Sequence, residues 1–235
     1  PSRSAFKAEK AARKGGVRKT VHESSQMAAL VFYLFMKNIL IGFFKSYMLT
    51  TNRNLWEAST LIFIETERLY LRNTIPCDAA VMFDYRNNEL CSRYQRGQTK
   101  DYEGIAKLVE RRKNDVLSVE APFMVAVAIK ETNEMIGEIV VMPKDNTISL
   151  GYTFSYKYHR QGYAFESLVV LIDILHKMVP DWEFISFTEP QNVASMGLLL
   201  KLDYKNLGYV PSMESQAFGK WTKASTEEEI AKLSR

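Results

Sequence analysis

The sequence predicts a mixed α/β (α+β) fold, a mostly antiparallel twisted sheet of six or seven strands flanked by about four helices. Three observations carry this. Residues 123–129, 135–142 and 147–154 read as successive strands. They are joined by the short, turn-rich segments Lys130–Glu134 and Pro143–Asn146, as antiparallel hairpins require. The third strand then runs through a short loop into a helix, because Leu168 to Leu175 is apolar except for Asp173.

In order, Leu61–Glu65 and Arg68–Arg72 read as a first pair of strand segments, with Leu69 and Leu71 on one face. Pro76 and Asp78 start a helix ahead of Ala79–Phe83. Asp101 caps a second helix, whose Ile105, Leu108 and Val109 recur at helical spacing. After the three central strands come a helix from about Gly162 to Met178 and a strand at Glu183–Thr188. A helix at Asn192–Leu202 and a last strand pair, Tyr204–Val210 and Ala217–Trp221, complete the sheet. The order is β-α-α-β-β-β-α-β-α-β-β. Acidic residues in the first turn favour a short charged helix at Thr226–Ile230.

The 235 residues divide into an extension, 1–60, a domain, 61–222, and a charged tail, 223–235. The net charge of +4 conceals an asymmetry. Residues 1–60 hold ten Lys/Arg against three Asp/Glu, or +7, and residues 61–235 hold twenty-one against twenty-four, or −3. The domain therefore has no charge that favours nucleic acid, and it suits a small or cationic substrate. Residues 1–26 have the composition of a disordered tail. Residues 27–44 are strongly apolar behind a basic flank, which fits either membrane contact or a helix packed on the domain or on a partner. Lys37 and Asn38 are costly in lipid, and the chain begins at Pro1, which leaves open whether 1–60 is native. Cys77 and Cys91 show no metal or disulfide spacing, and His22, His159 and His176 are scattered. No metal site is expected, and a reducing, cytoplasmic compartment is.

The stretch Ile148–Gly162 with Tyr163–Ser167 organises the rest. A strand that hands over through Gly162 and Ala164 to a helix N-terminus gathers free N–H groups and the positive end of the helix dipole, a place for a diphosphate. Small residues there serve tight packing equally well.

Three motifs resemble the GNAT superfamily of N-acetyltransferases, and more narrowly its ribosomal-protein-alanine (RimJ/RimL-like) branch, over about 61–222. They are Glu65-Thr-Glu-Arg-Leu-Tyr-Leu-Arg72, then Leu150-Gly-Tyr152 followed by Gln161-Gly-Tyr-Ala-Phe-Glu-Ser167, then Asn192-Val-Ala-Ser195 followed by Leu200-Lys-Leu-Asp-Tyr204. The resemblance implies acetyl-CoA as cosubstrate and transfer of its acetyl group to a primary amine, on a peptide N-terminus or a small molecule. It further implies that the backbones of Tyr152 and Phe154 pair with the pantetheine arm. The amides of His159, Arg160, Gln161, Gly162, Tyr163 and Ala164 would hold the pyrophosphate, and Asn192 and Ser195 would meet the pantetheine or the thiol. The chain departs from the family pattern at His159, at Asp203 in place of a glycine, and at Leu199, where many members carry an acidic tyrosine. The departures at Leu199 and Asp203 motivate a rival reading, a non-catalytic acyl-CoA- or partner-binding module.

Direct transfer needs a neutral amine, a polarised carbonyl and a proton for the leaving thiolate. Glu138 and Glu189 are the candidate carboxylates for the amine, each equally at home as a salt-bridged surface group. Ser195 is the candidate for the thiolate, and Glu166 is expected to support the helix start. Acceptor-side residues are expected in Arg86–Thr99 and Pro211–Ser215. The acceptor itself and the oligomeric state, a homodimer included, stay open.

Overall fold

In the computed structural model, residues 60–233 are described. The extension through residue 59, with the apolar run 27–44, lies outside them, as do residues 234–235. Within the described part, no helix is long and apolar enough to cross a membrane.

The period-2 alternation of the central strands places apolar residues on both faces, so both faces must be covered. β1 (Ile62–Glu65), β2 (Leu69–Arg72), β3 (Phe123–Ile129), β4 (Met135–Lys144) and β5 (Thr147–Phe154) form consecutive antiparallel pairs. Phe123, Val125 and Val127 of β3 pack in the main core with Leu69, Leu71, Ile139 and Val141. That core also takes Leu168, Leu171, Ile172 and Leu175 of the helix α4 (Tyr163–Met178). Met124 and Ala126 turn to the other face. There they meet Met82 and Tyr85 of α1 (Asp78–Asn87) and Ile105 and Val109 of α3 (Tyr102–Arg112). A short α2 (Glu89–Ser92) links those helices. The sheet therefore lies between α4 and the α1–α3 layer.

β6 (Glu183–Thr188) follows α4, then α5 (Val193–Lys201), β7 (Lys205–Val210) and β8 (Ser215–Lys220). The described residues form an eight-stranded sheet in the order β1-β2-β3-β4-β5-β6-β8-β7. This is one strand more than the upper end of the expected six or seven, because Ile62–Glu65 pairs with β2 as an edge strand, with an irregularity between Ile62 and Ile64. The single parallel junction, β5 to β6, is paired only at Thr147 with Glu183 and Ile148 with Phe184. Beyond it the two strands part, and that opening positions the site.

Local chemistry explains several joints. The Asp101 carboxylate accepts from the Gly104 N–H at 2.7 Å, the cap read from the sequence. Arg72, last residue of the first motif, is fully buried and forks onto Asp78 at 2.8 and 2.9 Å, pinning β2 to the start of α1. Gly137 faces Phe154 across β4–β5, and a Cβ there would come within 2.6 Å of the ring. Residues after 222, read as a tail, contain α6 (Ala224–Leu233), whose buried Ile230 packs with Val210 and Ala217. Glu183 receives the Thr226 hydroxyl at 3.0 Å and fixes that helix to the sheet.

Candidate active site

Where β5 and β6 part, a cleft of about 360 Å³ opens between them. Its walls include Leu150 and Tyr152 from β5, Ser186 and Thr188 from β6, and Asn192, Ser195 and Leu199 around α5. On the β5 side the strand carbonyls are met by side chains instead of a neighbouring strand. Gln95 Nε2 donates to the Tyr152 carbonyl at 3.0 Å, and His159 Nε2 lies 2.9 Å from the Phe154 carbonyl, to which Cys91 Sγ also donates at 3.3 Å. Those are the two positions at which the sequence places backbone pairing. The Phe154 ring itself is buried in the main core, so only its main chain serves the site.

At the far end of β5 a single 3₁₀ turn, Tyr156–Tyr158, leads to the loop His159–Gly162 and into α4. Gly162 has φ 84°, the left-handed conformation that costs glycine least, and no side chain caps the helix behind it. The first-turn N–H groups of Tyr163, Ala164 and Phe165 therefore carry the positive end of α4. Arg160, also at positive φ (63°), is exposed beside them.

The sequence assigned Arg68 no role, yet it braces this loop. Its Nε donates to Glu166 Oε2 at 2.7 Å, its Nη1 donates to the Gln161 carbonyl at 3.2 Å, and its guanidinium lies 4.4 Å over the Tyr163 ring. Glu166 also accepts from the Thr66 hydroxyl at 2.6 Å. Partial burial works against its charge, but the Thr66 and Arg68 hydrogen bonds prevail and hold the carboxyl below the usual range. Glu166 thus supports the helix start, tying α4 to the β1–β2 turn.

On the β6 side of the cleft, Asn192 Oδ1 accepts from the Ser195 N–H at 3.2 Å and caps α5. Ser195 Oγ lies 2.8 Å from Tyr152 Oη. Burial pushes the Tyr152 phenol up, against the opposing effect of this hydrogen bond. Glu189 follows β6 and borders both the cleft and a more open hollow of about 630 Å³, shared with Arg96, Gln191, Tyr209 and Glu214. Arg96 Nη2 reaches Glu189 at 3.0 Å and Glu214 at 3.9 Å. Both segments expected on the acceptor side are therefore represented, by Tyr94, Gln95 and Arg96 and by Glu214 and Ser215.

Glu138 lies elsewhere. It is buried on β4 opposite Thr153, and both its oxygens accept from Arg86 Nη2 at 2.7 Å. Gln98 Nε2 bridges it to the Thr153 hydroxyl at 3.3 and 2.9 Å. Burial pushes its carboxyl up and Arg86 pulls it back down. It is not among the side chains that line the cleft. Arg68, Gln95 and Arg96 are the site residues that sequence reasoning left without roles. Their partners lie at least 57 residues away in the chain, so local sequence does not report these contacts.

Residues 68–205, more than half of the chain, match the family described as the acetyltransferase (GNAT) domain. No curated protein matches the chain in sequence. Among solved structures it is similar to a GNAT-family acetyltransferase from Bacillus anthracis, at 20% identity and a TM-score of 0.57, over 67% of this chain and 96% of that one. It is also similar to ribosomal-protein-S5-alanine acetyltransferase from Vibrio fischeri (18%, TM-score 0.53, 68% and 98%). A third similar structure is RimL, the ribosomal L7/L12 alpha-N-protein acetyltransferase in complex with coenzyme A (14%, TM-score 0.59, 68% and 97%). At these identities the neighbours establish the fold, and the family match, which covers most of the cleft wall, establishes membership: the chain belongs to the GNAT acetyltransferases.

Proposed function

We propose that this protein transfers an acetyl group from acetyl-CoA directly to a primary amine, with a protein N-terminus as the first acceptor to test and small amines as the second. The observation that carries this is the parting of β5 from β6 after a two-residue junction. It leaves an extended strand edge that leads to an uncapped helix N-terminus, with a carboxylate, Glu189, on the facing wall of the cleft. An amide-bearing pantetheine arm is suited to the edge at Tyr152 and Phe154 as an added strand. The pyrophosphate is suited to the amides of His159–Ala164, with Arg160 adding charge. Asn192 and Ser195 then border the thioester. Glu189 serves the amine, drawing a cationic acceptor in and accepting its proton, whereas Glu138 is committed to Arg86. The names of two neighbours, an alpha-N-protein acetyltransferase and a ribosomal-protein-alanine acetyltransferase, favour a protein acceptor and the RimJ/RimL-like branch. Two free cysteines are in keeping with a reducing, cytoplasmic setting.

The test has two readouts. Acetyl-CoA at about 100 times its Kd should stabilise the protein by about 2.7 kcal/mol, and thiol should be released with peptides bearing a free α-amino group. Absence of protection sinks the proposal. Protection without thiol release, across peptides, polyamines and small amines, supports instead the non-catalytic binding module that the apolar Leu199 in the cleft wall favours.

A further inference from the structure

An alkyl thiolate leaves a tetrahedral adduct faster when a donor protonates the sulfur as it departs, so thioester aminolysis gains from a general acid there. The cleft wall at α5 offers little: Leu199 is apolar, and Asn192 is engaged as a cap. The other hydroxyls of the wall include Ser149, Ser186, Thr188, Ser195 and Ser215, whose alcohols are far weaker acids than a thiol. Among the hydroxyl-bearing side chains a phenol, at about 10 when free, comes nearest in acidity to a thiol at about 8.5. Burial makes the Tyr152 phenol a weaker acid than that, so its placement and not its acidity singles it out. Two phenols border the cleft, and Tyr94 Oη already donates to the Gln191 carbonyl at 3.0 Å. The other, Tyr152, meets a hydroxyl, Ser195 Oγ, at 2.8 Å, a partner that passes on any proton it receives.

We propose that the Tyr152 hydroxyl is the proton source for the leaving thiolate, with Ser195 as the relay. The proposal rests on the acetyl-transfer reading above and assigns Tyr152 a side-chain role in addition to its main-chain one. As the tetrahedral adduct collapses, the C–S bond breaks and its electron pair stays on sulfur. The Ser195 Oγ proton passes to that sulfur while the Tyr152 Oη proton passes to Ser195 Oγ. The proton lost by the attacking nitrogen goes to Glu189 and then to solvent, and the Tyr152 phenolate regains one from solvent. Thioester and neutral amine thus become amide and thiol, with the protein unchanged.

Ionisation of bound CoA tests this without an acceptor. A hydroxyl that donates to sulfur stabilises the thiolate by about 1.5–3 kcal/mol, so its removal should raise the pKa of bound CoA thiol by about one to two units. The measurement is ultraviolet titration of the thiolate in the CoA complexes of the wild type, Tyr152→Phe and Ser195→Ala. Phenylalanine keeps the main chain that the pantetheine arm needs. Upward shifts in both variants are expected. CoA bound in all three with one common titration curve overturns the proposal, and a wild type that binds no CoA overturns the reading beneath it.

Kinetics with the best amine from the thiol-release assay give a second measurement. Tyr152→Phe should lower kcat about 100-fold with acetyl-CoA and leave its KM within about threefold. The loss should shrink to near zero for an acetyl thioester of an acidic aryl thiol, which departs without a proton. An equal loss for both thioesters marks a structural role and overturns the proposal. The double variant should be no slower than either single one, since the two hydroxyls act in one chain.

Discussion

Three carboxylate–arginine pairs surround the site, and they differ chiefly in how much water reaches them. Glu138–Arg86 is dry, with side-chain exposures of 2% and 4%. Glu189–Arg96 is wet, at 27% and 58%, and Glu166–Arg68 falls between, at 19% and 43%. The same chemistry therefore does three jobs. A dry pair fixes the fold, because neither ion can leave without stranding the other. A half-dry pair shapes a loop. A wet pair is weakly held, and under the proposed function a substrate cation would take the arginine's place.

Breaking the dry pair should show the largest effect. Glu138→Ala leaves the Arg86 guanidinium buried without its counter-ion and should cost about 3–5 kcal/mol, read from denaturant unfolding. A loss under about 1 kcal/mol would mean that water reaches Glu138 after all. Next, Glu189→Gln should lower kcat/KM for the amine about 100-fold, equivalent to about 2.7 kcal/mol, and leave the unfolding midpoint almost unmoved. Unaltered kinetics in that variant would remove Glu189 from the chemistry.

The intermediate pair should appear in the pH dependence of stability. The folded carboxyl of Glu166 sits below its unfolded value of about 4.3, so its contribution is present above that value and fades as the pH falls through the folded one. Glu166→Gln should flatten this acid limb by about 1 kcal/mol or less, given its access to solvent. An identical limb in the variant would place the acid sensitivity elsewhere. Smallest of all, Arg96→Ala should change stability by less than about 1 kcal/mol and lower the KM of a cationic amine. A raised KM would show that Arg96 binds the acceptor instead of competing with it.

The difference among these pairs is what the sequence hides. Strand alternation, turn chemistry and the Asp101 cap are local, and they place nearly every element. The αL position at Gly162 is local too, and so is its counterpart Asp203, which has φ 63° where the family carries glycine. The turn that opens α4 was therefore legible. Glu138, within β4, and Glu189, just past β6, by contrast carry no local mark of which ion pair each will join. What separates them is Arg86, 52 residues upstream of the first, and Arg96, 93 residues upstream of the second. The parting of β5 and β6 is equally nonlocal. It depends on where two strands cease to share a register, and neither strand encodes that alone.

The Gln95 amide on the Tyr152 carbonyl has a kinetic corollary. A pantetheine amide approaching that carbonyl meets a tethered copy of itself, and the two exchange at one lone-pair direction. Gln95 lies next to Arg96, which lines the hollow proposed for the amine, so under the proposed function the exchange would free that segment. Turnover should then be sequential and compulsory: thioester first, amine second. Free CoA should inhibit competitively against acetyl-CoA and noncompetitively against the amine, and random-order patterns would show that the segment opens without the exchange.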